Sequence, residues 1–207
     1  MSVSNKVAQY QKVMSKYVPA EYVSYVVDLL IRHPVQFRVA KPRKTKLGDF
    51  RAEREGLHRI TVNGDLNPYS FLITTIHEFA HLVTFEDYGP RVKPHGTEWQ
   101  NVYSKMLFPV VEAGHLPKDV SKAIERSLLN VKASSCTDQN LHRVLIKYDK
   151  PKEGLVILET LEKESVFELN GKSYRKGNLR RTRYVCTNTN NQRKYLISAL
   201  AQVKKIE

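Results

Sequence analysis

Cysteine is nearly absent, with two residues in a chain of 207. Two thiols cannot assemble a four-thiolate metal site or a disulfide framework. One disulfide is the most they allow, and nothing in the sequence points to an oxidising compartment. Long apolar runs are missing too: no stretch approaches the ~20 residues needed to span a bilayer. Met1 to Gln11 is polar and lacks the apolar segment of a secretory signal. These absences lead us to expect an intracellular, cytoplasmic protein with no membrane partner. No internal repeat or low-complexity tract is present, which argues against solenoids and fibrous assemblies. Acidic residues are also scarce, 21 Asp and Glu against 34 Lys and Arg, for a net charge of +13. What remains is 41% hydrophobic, enough to build a substantial core in one or two domains.

The densest chemical signal is His77-Glu78-Phe79-Ala80-His81. The flanking sequence predicts a helix there. Asn67 suits an N-cap and Pro68 the first helical position, and Gly89-Pro90 ends the run. At about 100° per residue Leu72, Ile76, Phe79 and Val83 form a core face. Ser70, Thr74, His77, His81 and Thr84 form a polar stripe opposite, expected to face a cleft or solvent. Two imidazoles one turn apart reach a single ion, giving two of the three protein ligands of a catalytic zinc. His95, His115 and His142 are the candidates for the third. His95 is the best placed, in a turn fixed by Pro94 and Gly96 and followed by a Thr97/Gln100 capping box that starts a helix at Glu98. Glu78, about 100° round from His77, stands on the flank of the metal as a general base. Zinc lowers the pKa of its water to about 7 and the glutamate completes the deprotonation.

Leu47-Gly48-Asp49-Phe50-Arg51, Arg59-Ile60-Thr61-Val62-Asn63, Asn67-Pro68, the His77 to His81 helix and His95-Gly96-x-x-Trp99 together resemble the SprT-like family of zinc metallopeptidases, to which the DNA-crosslink protease Spartan belongs. The resemblance is strongest from Leu47 to Gln100. It implies one Zn2+ per chain held by His77, His81 and His95, with Glu78 as general base of a zinc endopeptidase acting on protein substrates; it does not by itself fix the substrate, and the basic C-terminal part leads us to expect DNA-associated or DNA-crosslinked proteins. It also implies a zincin-like α+β domain in which Gly48 to Arg51 is the free edge along which a substrate strand adds. Many family members carry a zinc ribbon of C-x-x-C pairs after this domain. Here only Cys136 and Cys186 remain, read as two reduced, packed thiols in a vestigial ribbon, with an incomplete Cys136, His142, Cys186 site as the alternative.

Two amphipathic helices are expected from Val7, Tyr10, Met14 and Tyr17 and from Val23, Val26, Val27 and Leu30. Strands follow at Val35 to Val39, Asp49 to Ala52 and His58 to Asn63, then helices at Thr97 to Leu107 and Pro117 to Leu129. The boundary of this domain, residues 1–133, is placed in the polar stretch Lys132 to Asn140. Residues 134–207 read as a small, mainly β domain. Its strands are Arg143 to Tyr148, Leu155 to Leu161, Val166 to Leu169, Thr182 to Thr187 and Tyr195 to Val203, the last equally suited to a helix, with an Asn170-Gly171 hairpin.

Charge is uneven: residues 140–207 carry net +8 and the rest net +5. Lys172, Arg175, Lys176, Arg180, Arg181 and Arg183 flank Tyr174 and Tyr184, the mixture of cations and rings expected of a surface for DNA or other nucleic acid. Lys41, Arg43, Lys44 and Lys46 form a second cluster ahead of the edge strand, able to lead a polyanion toward the cleft. Trp99 is expected to pack its helix on the zinc helix, while His115 and Glu112 read as surface residues. The competing reading is a nucleic-acid-binding protein whose zinc site is structural or idle.

Overall fold

The computed structural model describes residues 3–43, 46–129 and 138–206. The chain divides into two compact units, Met1–Asp149 and Lys150–Glu207. The architecture is α+β, with helices and a small sheet in the first unit and a β-sheet in the second.

The first unit opens with α1 (Val3–Met14) and α2 (Val23–Arg32), linked through a 3₁₀ turn at Ala20–Tyr22. Strands β1 (Gln36–Ala40), β2 (Gly48–Arg51) and β3 (Arg59–Asn63) form a sheet in the order β1-β3-β2. β1 runs parallel to β3, and β2 pairs antiparallel with its other side, leaving β2 at an edge. Ile60 and Val62 of β3 point into the core, as period-two alternation requires, and meet α3 (Pro68–Tyr88). Phe71, Leu72, Ile76, Phe79 and Leu82 of α3 are fully buried. Phe71 stacks on Tyr17 at 5.0 Å between centroids and Phe79 on Phe37 at 6.4 Å.

α3 is capped as its sequence predicts. The Asn67 side-chain oxygen accepts from the Ser70 amide at 2.9 Å, Pro68 occupies the first turn, and Gly89 closes the helix at φ 75°. Its polar stripe does not face solvent, however. Ser70, Thr74, His77 and Thr84 are buried because α4 (Thr97–Glu112) packs over that side. α4 also runs past Leu107, where the expected helix ended, and continues through Pro109 to Glu112. The Tyr25 hydroxyl donates to the Met106 carbonyl at 2.6 Å and that of Tyr22 to the Val110 carbonyl at 3.0 Å, supporting the turns around the proline.

α5 (Lys118–Leu129) is followed, after residues outside the described set, by α6 (Gln139–Leu145) and a 3₁₀ turn at Ile146–Tyr148. The strand expected over Arg143 to Tyr148 is therefore helical. Asp138 caps it, accepting from the Asn140 and Leu141 amides, and Leu141 and Leu145 enter the core of the first unit. The Asn67 amide donates to the Leu145 carbonyl at 3.0 Å and to Asp149 at 2.6 Å, and the Tyr148 hydroxyl donates to Asp119 at 2.6 Å. These bonds hold 139–149 to the first unit, so the division falls after Asp149 and not in Lys132 to Asn140.

The second unit is a six-stranded sheet in the order β4-β9-β5-β6-β7-β8. Its strands are β4 (Leu155–Ile157), β5 (Val166–Leu169), β6 (Lys172–Arg180), β7 (Arg183–Asn188), β8 (Lys194–Ser198) and β9 (Gln202–Lys205). Every pairing is antiparallel. Asn170 and Gly171, at φ 52° and 72°, make the expected two-residue hairpin. Tyr195 to Val203 is two strands around a turn, with Ile197 and Val203 both entering the core. Leu158, Phe167, Tyr174 and Cys186 complete that core.

Candidate metal centre

His77 and His81 project from one side of α3, and His95 is brought to them by the α3–α4 turn. His95 itself sits at φ 58°, and the Gly96 amide closes the turn on the Lys93 carbonyl at 2.8 Å. The predicted capping box is not formed. Gly96 is the N-cap of α4, and the Gln100 side chain instead donates to the His95 carbonyl at 3.0 Å, tying the third histidine to the first turn of α4. Trp99 packs across all three imidazoles, 4.6, 5.2 and 4.7 Å from His77, His81 and His95 by ring centroid, and stacks on Tyr103 at 4.7 Å.

The three Nε2 atoms converge. His81 Nε2 lies 3.2 Å from that of His77 and 3.0 Å from that of His95, and the third side of the triangle is 3.2 Å. Hydrogen bonding cannot satisfy such a triangle, because a neutral imidazole nitrogen is either donor or acceptor and here each would have to be both. A shared cation can. Nitrogens about 2.0–2.1 Å from one tetrahedral ion sit roughly 3.3 Å apart, close to the observed spacing. Among the described residues this is the one cluster of three such ligands. Burial, with repulsion from the other imidazoles, holds His77 neutral with a pKa of about 2 and His81 at about 4; burial also lowers His95. Neutral imidazole is the form that ligates.

Glu78 is buried beside the triad and against β2. A Cβ on Gly48 would collide with its Oε1, so only glycine lets the strand approach this carboxyl. Burial raises the Glu78 pKa to about 8, the Asp49 charge adds to the rise, and a hydrogen bond from the Phe50 amide opposes it together with Arg43 and Lys46. Phe50 stacks on His81 at 6.5 Å with an interplanar angle of 6°. Neither the Gly48 contact nor the Gln100 bond was legible beforehand. The glycine in Leu47-Gly48-Asp49 was the only sequence signal of the first, and Gln100 had been read as half of a capping box.

Residues 20–120 match the sequence profile of the SprT-like family. The chain carries a SprT-like domain. Protein SprT of Vibrio parahaemolyticus is 50% identical over 55 residues, covering 25% of this chain and 33% of that protein. Protein SprT of Pseudomonas aeruginosa is 56% identical over 27 residues, 13% of this chain and 16% of its own length. The matches thus span a third or less of those relatives. No solved structure matches significantly. Within the SprT-like domain the buried polar helix face and the histidine triangle fall inside the matched residues. No helix among the described residues is long and apolar enough to cross a membrane.

Other residues singled out from the sequence lie outside the histidine cluster. His115 lies at 6.2 Å from Tyr22, and Glu112 is exposed at the end of α4. Arg43 is engaged with Asn63 and Thr61, and Lys46 with Asp49 at 2.7 Å, so neither is a free cation; Lys41 is exposed, and Lys44 lies outside the described residues. In the second unit Lys172, Arg175, Arg180, Arg181 and Arg183 are exposed. Lys176 is not: 3% exposed, it donates to the Glu159 and Leu161 carbonyls and sits 4.0 Å over the Tyr184 ring. Tyr174 is a core residue stacked on Phe167. Strand alternation puts both Tyr174 and Lys176 on the inward face, and Tyr184, half-buried, packs against the same core. Cys186 is fully buried as a packed thiol, and Cys136, with any site it would share, lies outside the described residues.

Proposed function

We propose that the SprT-like domain is a zinc endopeptidase that cuts protein chains, with His77, His81 and His95 holding the ion and Glu78 moving the proton. The observation that supports it most is the convergence of three neutral imidazole nitrogens next to a buried carboxyl that faces an edge strand. Bound zinc would supply Lewis acidity, polarising a carbonyl and acidifying water. Glu78 supplies the base: its ionised carboxylate takes a proton, and the acid so formed returns it to the departing amine. The Phe50 amide orients that carboxylate, and a cation at the triad favours its ionised form. The free side of β2 offers main-chain groups to an extended substrate.

Glu78→Gln tests the reading, since it keeps the shape and removes the base. Cleavage of an unfolded polypeptide should fall at least about 100-fold with zinc content unchanged. Undiminished cleavage would leave only the rival reading, an idle or structural metal site.

The partner is a second proposal. Arg175, Arg183 and Lys194 alternate outward on β6, β7 and β8, with Arg180 paired to Arg183, and form an exposed basic sheet face suited to a nucleic-acid backbone. We read DNA as the natural ligand of this face, which would direct cleavage to DNA-associated proteins in the cytoplasm. Arg175→Ala with Arg183→Ala should weaken DNA binding and flatten its salt dependence by about one unit of slope per lost phosphate contact. No binding at low salt would remove the proposal.

A further inference from the structure

A cavity of about 170 Å3 opens beside the histidine triangle. Phe50, Phe85, Pro90, Val92, Pro94 and Trp99 wall it, with the ring of His81 on one side. We infer that this cavity receives one large aliphatic or aromatic side chain of the polypeptide substrate, from a residue adjoining the bond that is cut. The inference rests on the peptidase reading and adds a side-chain preference to it.

Three observations carry it. The first is size and chemistry. An apolar cavity of about 150 Å3 takes a benzene molecule, so this one has the room and the lining for a leucine, methionine or phenylalanine side chain. The second is position. The His81 ring has its Nε2 in the triangle and its body in the cavity wall, so a group filling the cavity lies within one residue of the metal ligands. The third is register. Phe50 and Gly48 lie on the face of β2 turned to α3, the one against His81 and Phe85 and the other against Glu78, while Asp49 pairs with Lys46 and Arg51. A chain added along the free side of β2 presents alternate side chains on that face. Its backbone pairs with β2 while one side chain enters the cavity.

Val92, half-buried in the α3–α4 loop and outside the metal ligands, is part of the cavity wall, so changing its size changes the room inside. Trp99 is the sole tryptophan of the chain and forms part of the wall, so its fluorescence reports occupancy without any cleavage. In the zinc-loaded full chain, N-acetyl-leucinamide should perturb Trp99 saturably and bind about tenfold or more tighter than N-acetyl-glycinamide, as burial of an isobutyl group implies. Val92→Phe should remove that difference and shift the cleavage sites in an unfolded protein from leucine and phenylalanine toward alanine and glycine. Val92→Ala, which only removes atoms, should shift them toward tryptophan. Equal responses to the two amides, or a leucine preference untouched by both variants, would overturn the cavity proposal. Leucinamide binding without any cleavage would overturn the peptidase reading alone, and cleavage without side-chain preference the cavity alone.

Discussion

Two buried charged side chains, Glu78 and Lys176, show how position in the fold decides the use of a residue. Glu78 is held by a single backbone amide beside the triad and keeps its proton affinity high, with a pKa of about 8. Lys176 is held by two carbonyls and a ring, which consumes its donors within the sheet. Lys176→Met should therefore destabilise the second unit by about 1–3 kcal/mol, because two carbonyls lose their donor in the interior. Chemical denaturation checks this, and DNA affinity at equal folded fraction should not change. The cluster of three histidines was legible from sequence because a four-residue helical spacing and a Pro/Gly turn are local constraints. Lys176 and Tyr174 were misread because the facing of a strand is settled by the partner it pairs with.

At the scale of elements, α3 depends on both its ends. Asn67→Ala removes a cap worth about 1–2 kcal/mol and also frees the Leu145 carbonyl and Asp149 from their donor. Its loss should exceed that of an ordinary cap, and hydrogen exchange should rise in α6 as well as in the first turn of α3. β2 depends on Gly48. Gly48→Ala puts a methyl where the Glu78 carboxyl lies, so turnover should fall while zinc content and KM hold, since the carboxyl moves and the triad does not. Most helices and the Asn-Gly hairpin were predictable from period and punctuation, and the edge strand from the family resemblance. α6 was not: Val144-Leu145-Ile146 reads as the short apolar run of a strand, and only packing of Leu141 and Leu145 in the core of the first unit selects the helix. The extent of α4 beyond Pro109 was hidden for the same reason, since the hydroxyls that support it come from residues more than 80 positions earlier.

Across the whole molecule, three buried or bonded phenols link stability to pH. Burial raises Tyr25 to about 12, hydrogen bonding to Asp119 raises Tyr148 to about 12, and burial raises Tyr22. A raised pKa means the folded state holds the proton more tightly than the unfolded chain. The stability it contributes is thus complete below pH 10 and declines as pH rises toward 12. The urea midpoint of the first unit should fall over that window, and less steeply in Tyr25→Phe. The expectation of an α+β part followed by a β part came from the change beyond Val131 from helical spacing to short apolar runs between turn residues. The position of the division after Asp149 did not, because it is set by hydrogen bonds from Asn67 to Asp149 and from Tyr148 to Asp119 that no local pattern records.

The account as a whole stands on one cation shared by three histidines from two separate segments. Metal content of the purified chain, measured beside His95→Ala, tests that most directly. We predict about one zinc per chain, and a fall of at least about tenfold in zinc affinity when the third imidazole is removed. A chain that binds no zinc, or one that holds it equally well without His95, would contradict it.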